Sequence, residues 1–392
     1  MVTAAEAVLP RIMHIGGGAR KRLASVLRTV GTSRPLIVTD RTMADLGYLS
    51  ELVDDLAAEG ISADAFTDTV PEPTASSIDA GVDAATRGNY DSIVALGGGS
   101  PIDSAKAIAI LAAHGGTVGE LRFPRRVDEA GLPIIAIPTT AGTGSEATRV
   151  TVITQEGAPG QADEKLLCMG VGFMPYAALV DYELTLSLPP RVTADSGIDA
   201  LSHAIEAYVS QKANPFSDAQ ALAALRSIGP NLRPAFDDGS NRRAREAVML
   251  GATLAGIAFS NSSVALVHGM SRPIGAAFHV PHGMSNAMLF AAVTEFGLAA
   301  APERYAACAR AMGVAGDADD DESAAAALLV ELKSINADLG MPSPVEYGID
   351  EGAFRAAMPS MARQALASGS PLNNPRVPDV DDIVQIYASL LK

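Results

Sequence analysis

Tryptophan is absent from this 392-residue chain, cysteine occurs twice, and aromatic residues make up only 5% of it. Two cysteines, Cys168 and Cys308, are far too few for a disulfide framework and suit a reducing cytoplasm. Cys168 follows an apolar pair in KLLC and reads as a small buried residue. No apolar run approaches the roughly 18 residues that a membrane span needs. The start, MVTAAEAVLPRIMH, lacks the charged opening and compact apolar centre of a signal peptide. Positive charge is scarce as well: 29 Lys and Arg against 45 Asp and Glu give a formal charge of −16. That balance argues against nucleic acid or an anionic membrane as the main partner, though a local basic pocket remains compatible with it. With 48% hydrophobic and 19% charged residues, the chain has a globular composition, and its length suffices for two well-buried domains.

Strand and helix signals alternate in the first half. RPLIVTD (34–40), SADAFTD (62–68), SIVALGGGS (92–100), LPIIAIPTT (132–140) and AALVD (177–181) read as short strands. SELVDDLAAEG (50–60) and SSIDAGVDAATRG (76–88) read as helices between them. Such alternation predicts an α/β domain with a parallel, doubly wound sheet over residues 1–185. Beyond about residue 184, Ala, Leu, Glu and Arg recur at helical spacing, which predicts an all-α domain over 186–392. The acidic patch DADDDES (317–323) reads as a solvated loop.

Histidine is rare too, yet four of the six lie between positions 203 and 282. Asp199 and His203 stand one helical turn apart and project from one face. His268 and His282, brought alongside, complete an N/O donor set for a divalent transition metal. An ordinary surface or capped pair is the bland alternative for the D-x-x-x-H spacing.

GGGSPIDSAK (97–106) follows a strand and opens a helix, the context of an anion-binding turn. As a G-x-G-x-x-G pattern it is incomplete, because Ile102 holds the third glycine position. PTTAGTGSEAT (138–148) supplies a second loop of small and hydroxyl residues after another strand. Asp40, ending the strand 34–40, is suited to accept from both hydroxyls of a ribose and to repel a 2′-phosphate, favouring NAD over NADP. A helix N-cap is the alternative for Asp40, and Arg41 beside it weakens the preference.

These two loops, with GIDALSHAIEAYVS (197–210) and HGMSRPIGAAFHVPHGMSNAML (268–289), closely resemble the iron-containing (group III) alcohol dehydrogenases. The four motifs occur in that family's order, and the resemblance runs from about residue 8 to the C-terminus. It is specific for the family and weakly specific for the substrate. It implies a dehydroquinate synthase-like architecture: a dinucleotide-binding domain, a helical metal-binding domain, and an active site in the cleft between them. It further implies metal ligands at Asp199, His203, His268 and His282. Cofactor contacts are implied at Gly98, Gly99, Ser100, Thr139, Thr140, Thr143 and Lys165. Iron(II) is expected from the resemblance, whereas the donor set suits Zn(II) and Mn(II) almost equally. A homodimer with its N-terminal strand as a contact is also implied.

One position departs. Arg272 stands where most members have a second histidine, and a guanidinium cannot release its proton near neutral pH. Arg272 either anchors an acidic substrate group or ties a structural carboxylate such as Glu206. His279 is either a wall residue of the active site or a capped core histidine. The expected activity interconverts small primary alcohols and aldehydes by hydride transfer from a metal-bound alkoxide to NAD. The alternatives are a hydroxyacid dehydrogenase using Arg272, a dehydroquinate synthase-like lyase, and a non-catalytic metal or nucleotide binder.

Overall fold

The computed structural model describes residues 4–157 and 163–391. The chain folds as two compact units, Val8–Leu186 and Ser187–Lys392 with Met1–Ala7.

Among the described residues the first unit has the strands β1 (Ile12–Ile15), β2 (Pro35–Val38), β3 (Asp64–Phe66), β4 (Ser92–Gly97), β5 (Ile134–Pro138), β6 (Val150–Gln155), β7 (Glu164–Met169) and β8 (Ala177–Val180). Its helices are α1 (Leu23–Val30), α2 (Arg41–Asp45), α3 (Tyr48–Ala58), α4 (Ala75–Gly88) and α5 (Gly99–His114). Six strands form one sheet in the order β1-β8-β5-β4-β2-β3, every neighbouring pair parallel. The central strands are apolar throughout because both faces are covered. Ile37, Val94, Leu96, Ile135 and Leu179 point into one core with Leu52 and Leu56 of α3. Leu36, Val38, Ile93, Ala95 and Ala136 point into the other, with Ile102, Ala105 and Ile108 of α5.

This topology reverses between β2 and β4. From β2 the chain passes to β3 on one side, and from β4 it passes through α5 to β5 on the other. The carboxyl ends flanking such a reversal form a natural crevice for a ligand. Asp40 and the glycine loop stand at those two ends.

The five expected strands appear as β2, β3, β4, β5 and β8. RPLIVTD is the second strand of the chain, because β1 precedes it at the sheet edge beside β8. The antiparallel hairpin β6–β7 also stands outside the expected pattern. It is only half-buried, so its apolar signal is interrupted and easily passed over.

The second unit consists of α6 (Pro190–Val209), α7 (Pro215–Ile228), α8 (Leu232–Asp237), α9 (Arg242–Ser260), α10 (Leu266–Phe278), α11 (His282–Gly297), α12 (Pro302–Met312), α13 (Asp321–Asp338), α14 (Glu351–Ala367) and α15 (Val380–Ser389). Among its described residues there is no strand. The acidic patch 317–323 is not wholly a loop. Asp320 accepts a bond from the Ser323 N–H and caps α13, whose first turn holds Asp321 and Glu322. Carboxylates are favoured there by the unpaired N–H groups and the helix dipole. Helix α6 packs against α7, α9 and α11 and is buried along most of its length.

Ile108 is fully buried in the core beneath α5, while Val330 on α13 is 68% exposed. Ile108→Ala is expected to lower stability by about 2–5 kcal/mol through lost burial and a residual cavity. Val330→Ala should change it by less than about 0.5 kcal/mol. Denaturant unfolding of the two variants checks this, and equal midpoints would refute the core assignment.

Candidate functional site

Helix α6 presents Asp199, His203 and Glu206 at i, i+4 and i+7, a spacing that places all three on one face. All three are buried. Helix α10 brings His268 to that face, and α11 begins at His282. The approach of α11 depends on Gly283, where an added Cβ would lie 2.4 Å from the Asp195 carbonyl oxygen of α6. Only glycine lets the two backbones come so close.

The result is a tight cluster around one carboxylate oxygen. Asp199 Oδ1 lies 3.4 Å from His268 Nε2, 3.7 Å from His282 Nε2 and 3.8 Å from His203 Nδ1. Donor atoms of Asp199, His268 and His282 all fall within 4.8 Å of one another. His203 stacks between Phe259 and His268, each ring centroid 4.3 Å away. Burial by itself would raise the Asp199 carboxyl, but the charges of His203, His282 and His268 hold it well below the usual carboxylate range. Asp199, His268 and His282 bring a carboxylate and two imidazoles together in a geometry that fits a divalent transition metal, and His203 stands beside Asp199 outside that mutual cluster.

Glu206 completes the arrangement. Its Oε2 accepts from His268 Nδ1 at 2.6 Å, and its Oε1 accepts from the Val267 N–H at 2.5 Å. Anchoring Nδ1–H in this way leaves the Nε2 lone pair for a metal. Burial disfavours a charged His268 ring, yet Glu206 and Asp199 outweigh it and push its pKa up to about 9. Sequence reasoning weighed Glu206 only as a partner for Arg272. Its i+3 spacing from His203 was the available signal.

In the first unit, the glycine loop and the second loop meet. Cβ atoms added at Gly98 and Gly99 would lie 3.2 Å from Thr140 Cγ2 and 2.8 Å from Thr143 Cγ2. Gly98 is the N-cap of α5, so no side chain caps the N–H groups that open this sixteen-residue helix. They are therefore available to an anion. Thr139 Oγ1 is buried with no hydrogen-bond partner among the described residues. Ser100 Oγ accepts from the Glu72 N–H at 3.2 Å, and Glu72 pairs with Lys165 at 2.7 Å. Asp40 caps α2, its Oδ1 accepting from the Met43 N–H at 2.9 Å. Arg41 turns away to pair with Asp68.

Beneath the loops lies a buried polar knot that the sequence did not advertise. Lys106 Nζ donates to Ser145 Oγ, Thr148 Oγ1 and the Val150 carbonyl at 2.9, 2.9 and 2.7 Å. Asp103 accepts from Ser145 Oγ and the Val152 N–H, tying α5 to the second loop and β6. Burial draws the Lys106 pKa down to about 8 despite the opposing charges of Asp103 and Glu146.

Family models for the iron-containing alcohol dehydrogenases match residues 10–182, and for the Fe-containing alcohol dehydrogenase C-terminal region residues 193–391. The chain belongs to the iron-containing alcohol dehydrogenase family. It is 38% identical to long-chain-alcohol dehydrogenase 1 of Geobacillus thermodenitrificans, covering 95% of this chain and 94% of that protein. It is 35% identical to the NAD-dependent methanol dehydrogenase of Bacillus methanolicus, covering 98% and 99%. A crystal structure of 1,3-propanediol oxidoreductase matches with a TM-score of 0.93 at 32% identity, covering 99% of this chain and all of that one. As a member of this family the chain is an oxidoreductase of alcohols and aldehydes.

Against this iron-containing alcohol dehydrogenase background, Arg272 lies one turn beyond His268 on α10 and is half-buried. Its NH1 donates to Ser370 Oγ at 3.3 Å, and no carboxylate ion pair holds it among the described residues. Both Glu206 oxygens accept hydrogen bonds from α10, so Arg272 meets Glu206 through its charge and not through an ion pair. Burial lowers the Arg272 pKa, and the charge of Glu206 only partly offsets this. His279 is exposed in a left-handed conformation at the C-cap of α10, so the core-histidine reading falls.

His268→Ala or His282→Ala is expected to lower metal affinity by more than the roughly 10–100-fold typical of outer contacts, with the fold intact. Metal content after dialysis, with circular dichroism as the control, measures this. Full metal occupancy in either variant would remove that histidine from the ligand set.

Proposed function

We propose that this chain is an NAD-linked, metal-dependent alcohol dehydrogenase acting on small primary alcohols and their aldehydes. The convergence of Asp199, His268 and His282, with His203 Nδ1 3.8 Å from the same Asp199 oxygen, carries the reading. A divalent ion there supplies a Lewis acid that acidifies an alcohol hydroxyl, and NAD supplies the hydride acceptor. Fe(II) follows from the family's name, while Zn(II) and Mn(II) satisfy the same donors. Glu206 keeps His268 in the tautomer that presents Nε2.

The uncapped N–H groups behind Gly98 and Gly99 hold the cofactor diphosphate, flanked by Ser100, Thr139, Thr140 and Thr143. Lys165, neutralised by Glu72, orders the same end of the sheet. Asp40 uses one oxygen to cap α2, and its other oxygen accepts from a ribose hydroxyl. The negative charge repels a 2′-phosphate. Arg272 cannot take the proton that alcohol oxidation releases, so that proton leaves through water or through an imidazole such as His279. The protein works in the cytoplasm as a homodimer, with edge strand β1 at the contact.

NADH formation across a panel of primary alcohols, with Fe(II), Zn(II) and Mn(II) supplied in turn, tests the assignment. Turnover with at least one pairing is expected, and none across the panel would sink it. Asp40→Ser should relax discrimination against NADP. A wild-type enzyme that already prefers NADP would show the ribose assignment to be wrong.

The relatives' names favour neutral alcohols, but Arg272 makes its hydrogen bond to a neutral hydroxyl, Ser370, which leaves its guanidinium able to meet an acidic group on the substrate. A charge-assisted contact contributes about 1.5–3 kcal/mol. If Arg272 holds such a group, Arg272→Ala should raise KM more than about tenfold for hydroxyacids and far less for neutral alcohols of equal length. Equal losses on both would retire the anchor.

A further inference from the structure

Asn286 lies one turn after His282 on α11 and is fully buried. Its Nδ2 donates to Asp199 Oδ1 at 2.7 Å. The same nitrogen lies 3.2 Å from His268 Nε2 and 3.2 Å from His282 Nε2. One amide nitrogen thus touches the donor atoms of three residues supplied by three different helices. A carboxamide has two N–H hydrogens and cannot serve all three atoms at once, and the shortest contact is the one to the carboxylate. Its orientation is set by charge. The reverse rotamer would place the carbonyl oxygen against Asp199 Oδ1, two acceptors at hydrogen-bond distance with no proton between them.

The other end of the side chain is equally informative. Asn286 Oδ1 is buried and has no hydrogen-bond partner among the described residues. Leaving a buried acceptor unsatisfied normally costs about 1–3 kcal/mol. A residue kept only for packing would be apolar here, since the surrounding α11 positions Ala287, Leu289 and Phe290 are buried and apolar. The cost is understandable if the amide N–H has a task that no apolar side chain performs.

We infer that Asn286 is a positioning residue for the metal: its N–H aims Asp199 Oδ1 and holds α11 in register with α6, so that the imidazoles of α10 and α11 meet that oxygen. This rests on the metal-site reading above. It assigns Asn286 no ligand bond and no step in the chemistry. Outer contacts of this kind usually contribute 10–100-fold in metal affinity.

The test is chelator competition with Fe(II), Zn(II) and Co(II) on the full-length protein, comparing wild type, His268→Ala, Asn286→Leu and Asn286→Asp. Leucine keeps the branched shape and removes the donor. Asparagine to aspartate keeps the shape but sets a second carboxylate against Asp199. Asn286→Leu should bind about 10–100-fold more weakly and alter the Co(II) visible spectrum, which reports ligand geometry. Asn286→Asp should melt at lower temperature without metal and gain more than wild type when metal is added, because a cation relieves the repulsion. If His268→Ala loses metal while Asn286→Leu stays within about threefold of wild type with an unchanged Co(II) spectrum, the inference is overturned and the metal site stands. If His268→Ala keeps its metal, the site reading itself falls, and the inference with it. Should Asn286→Leu fail to fold, Asn286→Asp decides alone, and a metal-free melting temperature equal to wild type would overturn the inference.

Discussion

The second unit is organised around one buried carboxylate. Asp199 sits on a helix with almost no access to water, and an isolated charge in that position would be prohibitively costly. It is stable there because three imidazoles and the Asn286 amide surround a single oxygen. His203 shares α6 with Asp199, while His268, His282 and Asn286 arrive on helices that must approach closely, which explains the glycine at 283 and the polar buried face of α6. A second carboxylate, Glu206, stands behind His268 and fixes how that ring is presented. The cluster therefore gathers two carboxylates and three imidazoles in a largely buried site, an arrangement that suits a divalent cation better than any packing role.

The first unit meets a different constraint. A parallel sheet must have both faces covered, and the reversal of chain direction between β2 and β4 leaves their carboxyl ends free of a crossing connection. The glycine loop uses that opening. It presents helix N–H groups that no side chain caps, and a side chain at 99 would collide with Thr143 while one at 98 would press tightly on Thr140. Behind this thin edge the Lys106–Asp103–Ser145 knot links α5, the second loop and β6 through charge-assisted bonds. Removing Lys106 alone would leave the Asp103 carboxylate buried without its cation. We read the knot as the rigid support for two loops that are themselves made of small residues.

Several features could be read from the chain alone because they are carried by local patterns. Apolar runs bounded by glycine, proline or an acid marked the central strands β2, β4, β5 and β8, since a strand buried on both faces has no need of polar residues. Asp199 and His203 were visible as a pair because helical periodicity alone puts them on one face, and His268 and His282 stood out in a chain so poor in histidine. The motifs identified the family for the same reason: each is a contiguous string.

What stayed hidden depends on contacts between distant segments. The hairpin β6–β7 is half-buried and lacks a continuous apolar signal, and β1 is a short edge strand. Asp40 read first as a ribose acceptor, with a helix cap as the alternative, and the folded chain shows the cap in place on one of its oxygens. Arg272 had Glu206 as one candidate partner, and only tertiary packing shows that both Glu206 oxygens accept hydrogen bonds from α10. The roles of Glu206 and Asn286 arise only when α6, α10 and α11 meet, because a hydrogen bond across helices leaves no periodic trace in either one. The sequence by itself determined the α/β and helical classes, the family and the types of donor atom. Tertiary structure alone decided which oxygen the donors surround and which side chains hold them there, since those are distances between residues up to 87 positions apart.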